Sequence, residues 1–176
     1  LSAVSSIPHL NVVNLSSAKE AEEYVYAASK KIAKDREAGK DGESYIFFLG
    51  RENFALELKD GLGYELHKAQ RLTDGHDVAI VASGSLVGKA LRAYTELKEK
   101  GIEATVINHS FVNNTDFEEI SRWVEEAGGR LVTVEDHQLI GGMGAQLVHQ
   151  LKLLGLEFSV RSLAVKGEFG QSAYSA

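Results

Sequence analysis

An α/β fold, a three-layer sandwich around a mostly parallel sheet of about five strands, is predicted by three features of the sequence. Short apolar runs alternate with amphipathic helical stripes from about residue 75 onward. Those runs are continuously apolar, as strands covered on both faces are, and do not alternate like half-exposed ones. Proline occurs once, at Pro8, so long elements are not interrupted. The 176 residues suit one domain, or one domain plus a piece of another.

The first stretch reads strand, helix, strand. Residues 10–15 (LNVVNL) are short and β-rich, and Ser17-Ala18-Lys19-Glu20 has the S-x-x-E spacing of a capping box. Ala21, Tyr24, Val25, Ala28 and Ile32 follow at helical spacing, and the helix should fade near Gly39. Residues 44–49 (SYIFFL) form a second strand ending at Gly50. Residues 52–75 carry turn signals and no sustained period, and read as a connection with a short strand around residues 65–70.

The regular part begins with the strand 77–82 (DVAIVA), which runs into Ser83-Gly84-Ser85. Leu86, Val87, Ala90, Leu91, Tyr94 and Leu97 mark the buried face of the next helix, which Gly101 stops. Strand 102–107 (IEATVI) follows, and then a helix capped by Asp116 and burying Phe117, Ile120, Trp123 and Val124. Strand 130–135 (RLVTVE) precedes Gly141-Gly142, after which Met143, Leu147, Val148, Leu151 and Leu154 form a helical stripe. Strand 158–165 (FSVRSLAV) closes the series.

Apolar residues are 44% of the chain, charged residues 25%, and the net charge is −6. That balance, with no basic cluster, argues against nucleic-acid binding. No apolar run approaches the roughly 20 residues that span a bilayer, so no membrane span is expected. The absence of cysteine excludes disulfides and thiolate metal sites and is compatible with a cytoplasmic protein. Leu1 and Ala176 both read as cut ends of a longer protein.

In an open α/β sheet function gathers at the carboxyl ends of the strands. Arg51, next to Gly50 after a buried strand, is suited to hold a phosphate or carboxylate through paired hydrogen bonds. A structural ion pair is the competing reading. Ser83-Gly84-Ser85 reads as a tight turn with Ser85 as N-cap, ahead of an anion site. Glu135-Asp136-His137, followed by Gly141, Gly142 and Gly144, combines acids and an imidazole with a glycine loop. Consecutive residues of an extended chain do not converge on one point, so a structural or interface loop is favoured over acid–base or metal chemistry. The remaining histidines show no ligand spacing.

The order of these motifs resembles the transketolase family. DVAIVASGS (77–85), LVTVEDHQLIGGMG (131–144) and FGQS (169–172) resemble its C-terminal domain, and YIFFLGREN (45–53) resembles the last strand of its pyrimidine-binding domain. The resemblance implies residues 1–56 as a remnant of that domain, 57–75 as a linker and 76–176 as the transketolase C-terminal domain. It implies an enzyme that moves a ketol unit between sugar phosphates with thiamine diphosphate and Mg²⁺, as a homodimer with the remaining domains. Both cofactor half-sites are expected outside this chain, which alone should be inactive. Arg51 and Asn53 match the family's phosphate-binding stretch, although Gly50 and Glu52 depart from the usual Ser and Gln. Related alternatives are deoxyxylulose-phosphate synthase and the beta subunit of 2-oxo-acid dehydrogenases. A stand-alone anion- or nucleotide-binding regulatory module is the alternative from another class.

Overall fold

The computed structural model describes residues 2–50, 58 and 61–169. A short helix α1 (Ser2–Ser5) precedes β1 (Leu10–Asn14), α2 (Ala18–Glu37) and β2 (Ser44–Phe48). Next come β3 (Gln70–Arg71), β4 (Val78–Ala82), α3 (Leu86–Glu99) and β5 (Ala104–Asn108). The chain continues through α4 (Phe117–Glu126), β6 (Arg130–Gln138), α5 (Met143–Leu153) and β7 (Ser159–Val165).

β1 and β2 form a parallel pair. The main sheet has the order β3-β5-β4-β6-β7, parallel throughout except for the short antiparallel edge β3. The fifth strand therefore lies upstream of residue 75, at the end of the part of the connection (residues 65–70) where a short strand is expected. Period-two alternation sends neighbouring side chains to opposite faces. Ala79, Val81, Ile107 and Leu131 pack on one face against Ile120 and Val124 of α4 and Leu147 and Leu151 of α5. Ile80, Ala82, Ala104 and Val106 pack on the other against Val87 and Ala90 of α3. The apolar strands are thus covered from both sides, which is why they do not alternate.

The first unit has its own small core of Val13, Leu15, Tyr24 and Phe111, with Tyr24 edge-on to Phe111 at a 5.0 Å centroid distance. Phe111 comes from the segment after β5, and that segment stitches the two units together. The Asn14 amide donates to Ser110 O (2.9 Å) and the Val112 amide to Val12 O (2.9 Å), so β1 gains an antiparallel partner on its second edge. Asn113 completes the seam: its Oδ1 accepts the Val12 N–H (2.9 Å) while its Nδ2 donates to Leu10 O (2.8 Å).

Local signals account for the helix starts. Ser17 caps α2 by accepting the Glu20 N–H at 3.1 Å, and Asp116 caps α4 by accepting the Glu119 N–H at 3.0 Å. Ser85 makes no such bond at α3; its hydroxyl turns to Asp136 at 3.4 Å. No helix is long and apolar enough to cross a membrane among the described residues.

Candidate functional site at the carboxyl end of the sheet

The strand register aligns three polar residues. Ala82 lies beside Asn108 on one side and Val134 on the other, so the residues that follow, Ser83, His109 and Glu135, form a row across the strand ends. All three are buried. They sit on the face that α4 and α5 cover, the face of Val81 and Ile107.

Glu135 reaches from β6 to the start of α5. Its carboxylate accepts the Met143 N–H at 2.6 Å and the Gly144 N–H at 2.9 Å, filling the place of an N-cap that Gly142 cannot fill with a side chain. A negative charge on the helix N-terminus is favoured by the dipole. Burial pushes the Glu135 carboxyl above the ordinary Glu value, and the two amide hydrogen bonds act the other way. The glycines make the approach possible. A Cβ on Gly142 would overlap the Glu135 carboxylate, and one on Gly144 would sit 2.5 Å from Thr133 Oγ1. Gly141 has φ +71°, in the left-handed region that favours glycine. Asp136 and His137 fall in a register irregularity of β6 between Val134 and Gln138, and Asp136 accepts from the Ser85 hydroxyl.

His109 is fully buried, edge-on to Phe117, and neither ring nitrogen has a hydrogen-bond partner of good geometry among the described residues. Burial lowers its pKa to about 4, with the Val112 backbone acting slightly in the other direction. The imidazole is neutral at pH 7. Ser83 Oγ accepts from Asn14 Nδ2 at 3.1 Å and is not bonded to His109. The row therefore contains the residue types of a nucleophile relay without its hydrogen bonds.

A second polar centre lies under the seam. Glu20 is completely buried on α2. One carboxylate oxygen accepts from the Ser16 amide (2.6 Å) and hydroxyl (2.7 Å); the other accepts from Asn108 Nδ2 (2.9 Å) and the Ser110 hydroxyl. Gln70 adds a further acceptor for Asn108 at 3.0 Å. Sequence reasoning treated Glu20 only as part of a capping box and missed Asn108, His109 and Ser110. The available signal was the polar run NHS directly after an apolar strand, where a surface loop would not be followed by Phe111-Val112.

These carboxylates do not fit either half of a metal-diphosphate site. Glu20 and Glu135 are engaged with protein donors, and among the described residues no group of three or more His, Asp or Glu converges on a point. Arg51 and Asn53 lie outside the described residues. Open depressions among the described residues include a groove of about 630 Å³ along β7 and a smaller one of about 350 Å³ on α3.

The chain is similar to known proteins, in sequence over part of its length and in fold over nearly all of it. The family model described as "Transketolase, C-terminal domain" matches residues 67–175. A 1-deoxy-D-xylulose-5-phosphate synthase of Heliobacterium modesticaldum is 39% identical over 59% of this chain and 16% of its own length. One of the subunits of an apulose-4-phosphate transketolase from Phocaeicola vulgatus is 42% identical over 52% of this chain and 29% of its own length. The chain thus spans less than a third of either relative. In three dimensions it superposes on a split-gene transketolase, solved as an inactive β4 tetramer, with a TM-score of 0.76 and 28% identity, over 98% of this chain and 53% of that one. The family model covers more than half of the chain and the fold likeness to a split-gene transketolase agrees with it, so the chain belongs to the transketolase family and carries that family's C-terminal domain.

Proposed function

We propose that this chain is the C-terminal section of a thiamine-diphosphate-dependent transketolase that transfers a ketol unit between sugar phosphates. The observation that carries the reading is the superposition on a split-gene transketolase through almost the whole chain, the first unit as well as the C-terminal domain. Residues 1–56 then close a pyrimidine-binding domain, 57–75 link it, and 76–176 are the C-terminal domain. When bound, the cofactor supplies the carbanion chemistry. This chain's own part is to support assembly with copies of itself and with the remaining domains in the cytoplasm. Arg51, aided by Asn53, binds the substrate phosphate as a planar, permanently charged donor.

The experiment is a ketol-transfer assay with thiamine diphosphate and Mg²⁺. The chain alone is expected to be inactive; the whole enzyme should transfer ketol units. In the whole enzyme, Arg51→Ala should raise KM for phosphorylated substrates about tenfold, the loss of one charge-assisted pair. Unchanged kinetics would remove Arg51 from the site, and measurable transfer by the chain alone would refute the division of labour.

The similarity to a 1-deoxy-D-xylulose-5-phosphate synthase favours a second reading, that the whole protein forms 1-deoxy-D-xylulose 5-phosphate. Formation of 1-deoxy-D-xylulose 5-phosphate by the whole enzyme, without ketol transfer between sugar phosphates, would select it.

A further inference from the structure

We propose that β7 is a self-association edge: two copies of this chain pair β7 with β7 antiparallel about a two-fold axis through Ser162, joining two five-stranded sheets into one. This deepens the assembly reading above and rests on the chain associating with itself.

Among the described residues β7 is the last strand of the sheet and is paired on one side only, to β6. Which of its backbone groups are free follows from two bonds. The Ser159 amide donates inward to Gly129 O (2.8 Å), and Val165 O accepts inward from the Leu139 amide (2.8 Å). Strand alternation then turns the N–H and C=O groups of Val160, Ser162 and Ala164 outward. The flanking side chains are apolar and uncovered: Val160 is 44% exposed and Leu163 54%. With Leu139, Arg161, Ser162 and Lys166 they line the open groove along this edge. Soluble proteins guard long edges with proline, bulges, several charges or a covering element. This seven-residue strand has no proline and one charge, Arg161.

The chain's own continuation does not cover the edge as far as Phe169. Gln138 accepts the Gly167 N–H at 2.9 Å and donates to Glu168 O at 2.7 Å, drawing the chain back towards β6. A second copy fits the pattern. Centred on Ser162, Val160 opposes Ala164 and Arg161 opposes Leu163, so no like charges face each other and the two arginines lie only on a diagonal. Every outward residue then meets another outward residue, which yields about six N–H···O bonds in hydrogen-bonded pairs.

The chain has no cysteine, so a single introduced thiol reports one contact. Opposed residues of a hydrogen-bonded pair have Cα atoms about 5.5 Å apart, within disulfide reach. Mild oxidation of the full chain carrying Ser162→Cys should convert most of it to a covalent dimer, while Ser159→Cys, whose two copies would lie about 20 Å apart, stays monomeric on a non-reducing gel. Ser162→Pro removes an outward N–H that the β6 ladder does not use. It should weaken self-association in sedimentation equilibrium at least tenfold with an unchanged circular-dichroism spectrum. If Ser162→Pro also disturbs the fold, the thiol pair decides. A chain that is monomeric at tens of micromolar overturns both this contact and the assembly reading. Self-association that survives Ser162→Pro, or cross-linking of Ser162→Cys no faster than of Ser159→Cys, overturns the β7 contact and leaves assembly through another face.

Discussion

Glu135 shows how one side chain explains a motif. Its two oxygens hold two α5 amides, and the missing side chains of Gly142 and Gly144 leave room for it. Glu135→Ala should cost about 2–4 kcal/mol, because two buried N–H groups lose their acceptors. Gly144→Ala should cost about 2 kcal/mol or more, since its Cβ would press on Thr133. Gly101→Ala is the control: φ there is +76° but the space around it is open, so about 1 kcal/mol of backbone strain is expected. Urea denaturation of the three variants checks the order, and equal losses at Gly101 and Gly144 would discredit the close-approach account. His109 makes a prediction about acid. Its pKa is lowered from 6.5 to about 4, so the stability it contributes is complete above pH 6.5 and lost as the pH falls towards 4. At about 1.4 kcal/mol per unit this is roughly 3 kcal/mol. Glu135 has the opposite sign: its raised value makes stability fall as pH rises from 4.5 through its folded pKa. His109→Leu should therefore flatten the acid limb of a stability-versus-pH curve between pH 6.5 and 4; an unchanged slope would show that His109 is not its source.

Among elements, the decisive contact is the seam between β1 and residues 108–114. It is made of Glu20, Asn108, Ser110 and Asn113 bonding across more than 80 positions of sequence, which no local pattern encodes. This is why the strands, helices and two of the caps were legible in the sequence and the seam was not. Periodicity and S-x-x-E spacing report local preferences, whereas Glu20 is used twice, its backbone by Ser17 and its carboxylate by the sheet's far loop. The same limit explains β3. A short strand is expected around residues 65–70, but two residues are too few for a period to fix its place, and Gln70 is in the sheet because the β5 edge is there to bind it. For Glu135 the sequence supplied the residues and the glycines but not the direction of the carboxylate. Glu20→Ala should cost about 2–4 kcal/mol by stranding donors on both sides of the seam. Hydrogen exchange at residues 10–14 and 110–112 should rise together in that variant; a rise in α2 alone would mean that the carboxylate serves only its own helix.

For the molecule as a whole, two units share backbone bonds as well as side chains, and Phe111 from one completes the core of the other. Thermal unfolding should therefore be a single transition, with calorimetric and van't Hoff enthalpies in agreement. Two resolved transitions would show that the seam is weaker than its bonds imply. The seam also sets a rule for building hybrids between related enzymes. A crossover placed in the connection between residues 57 and 75 looks safe on a linear map, yet it would pair one parent's β1 with the other parent's NHSFVNN loop. Exchanges that transplant β1, the start of α2 and that loop as one parcel should give well-behaved hybrids, and those that separate them should yield poorly folded product.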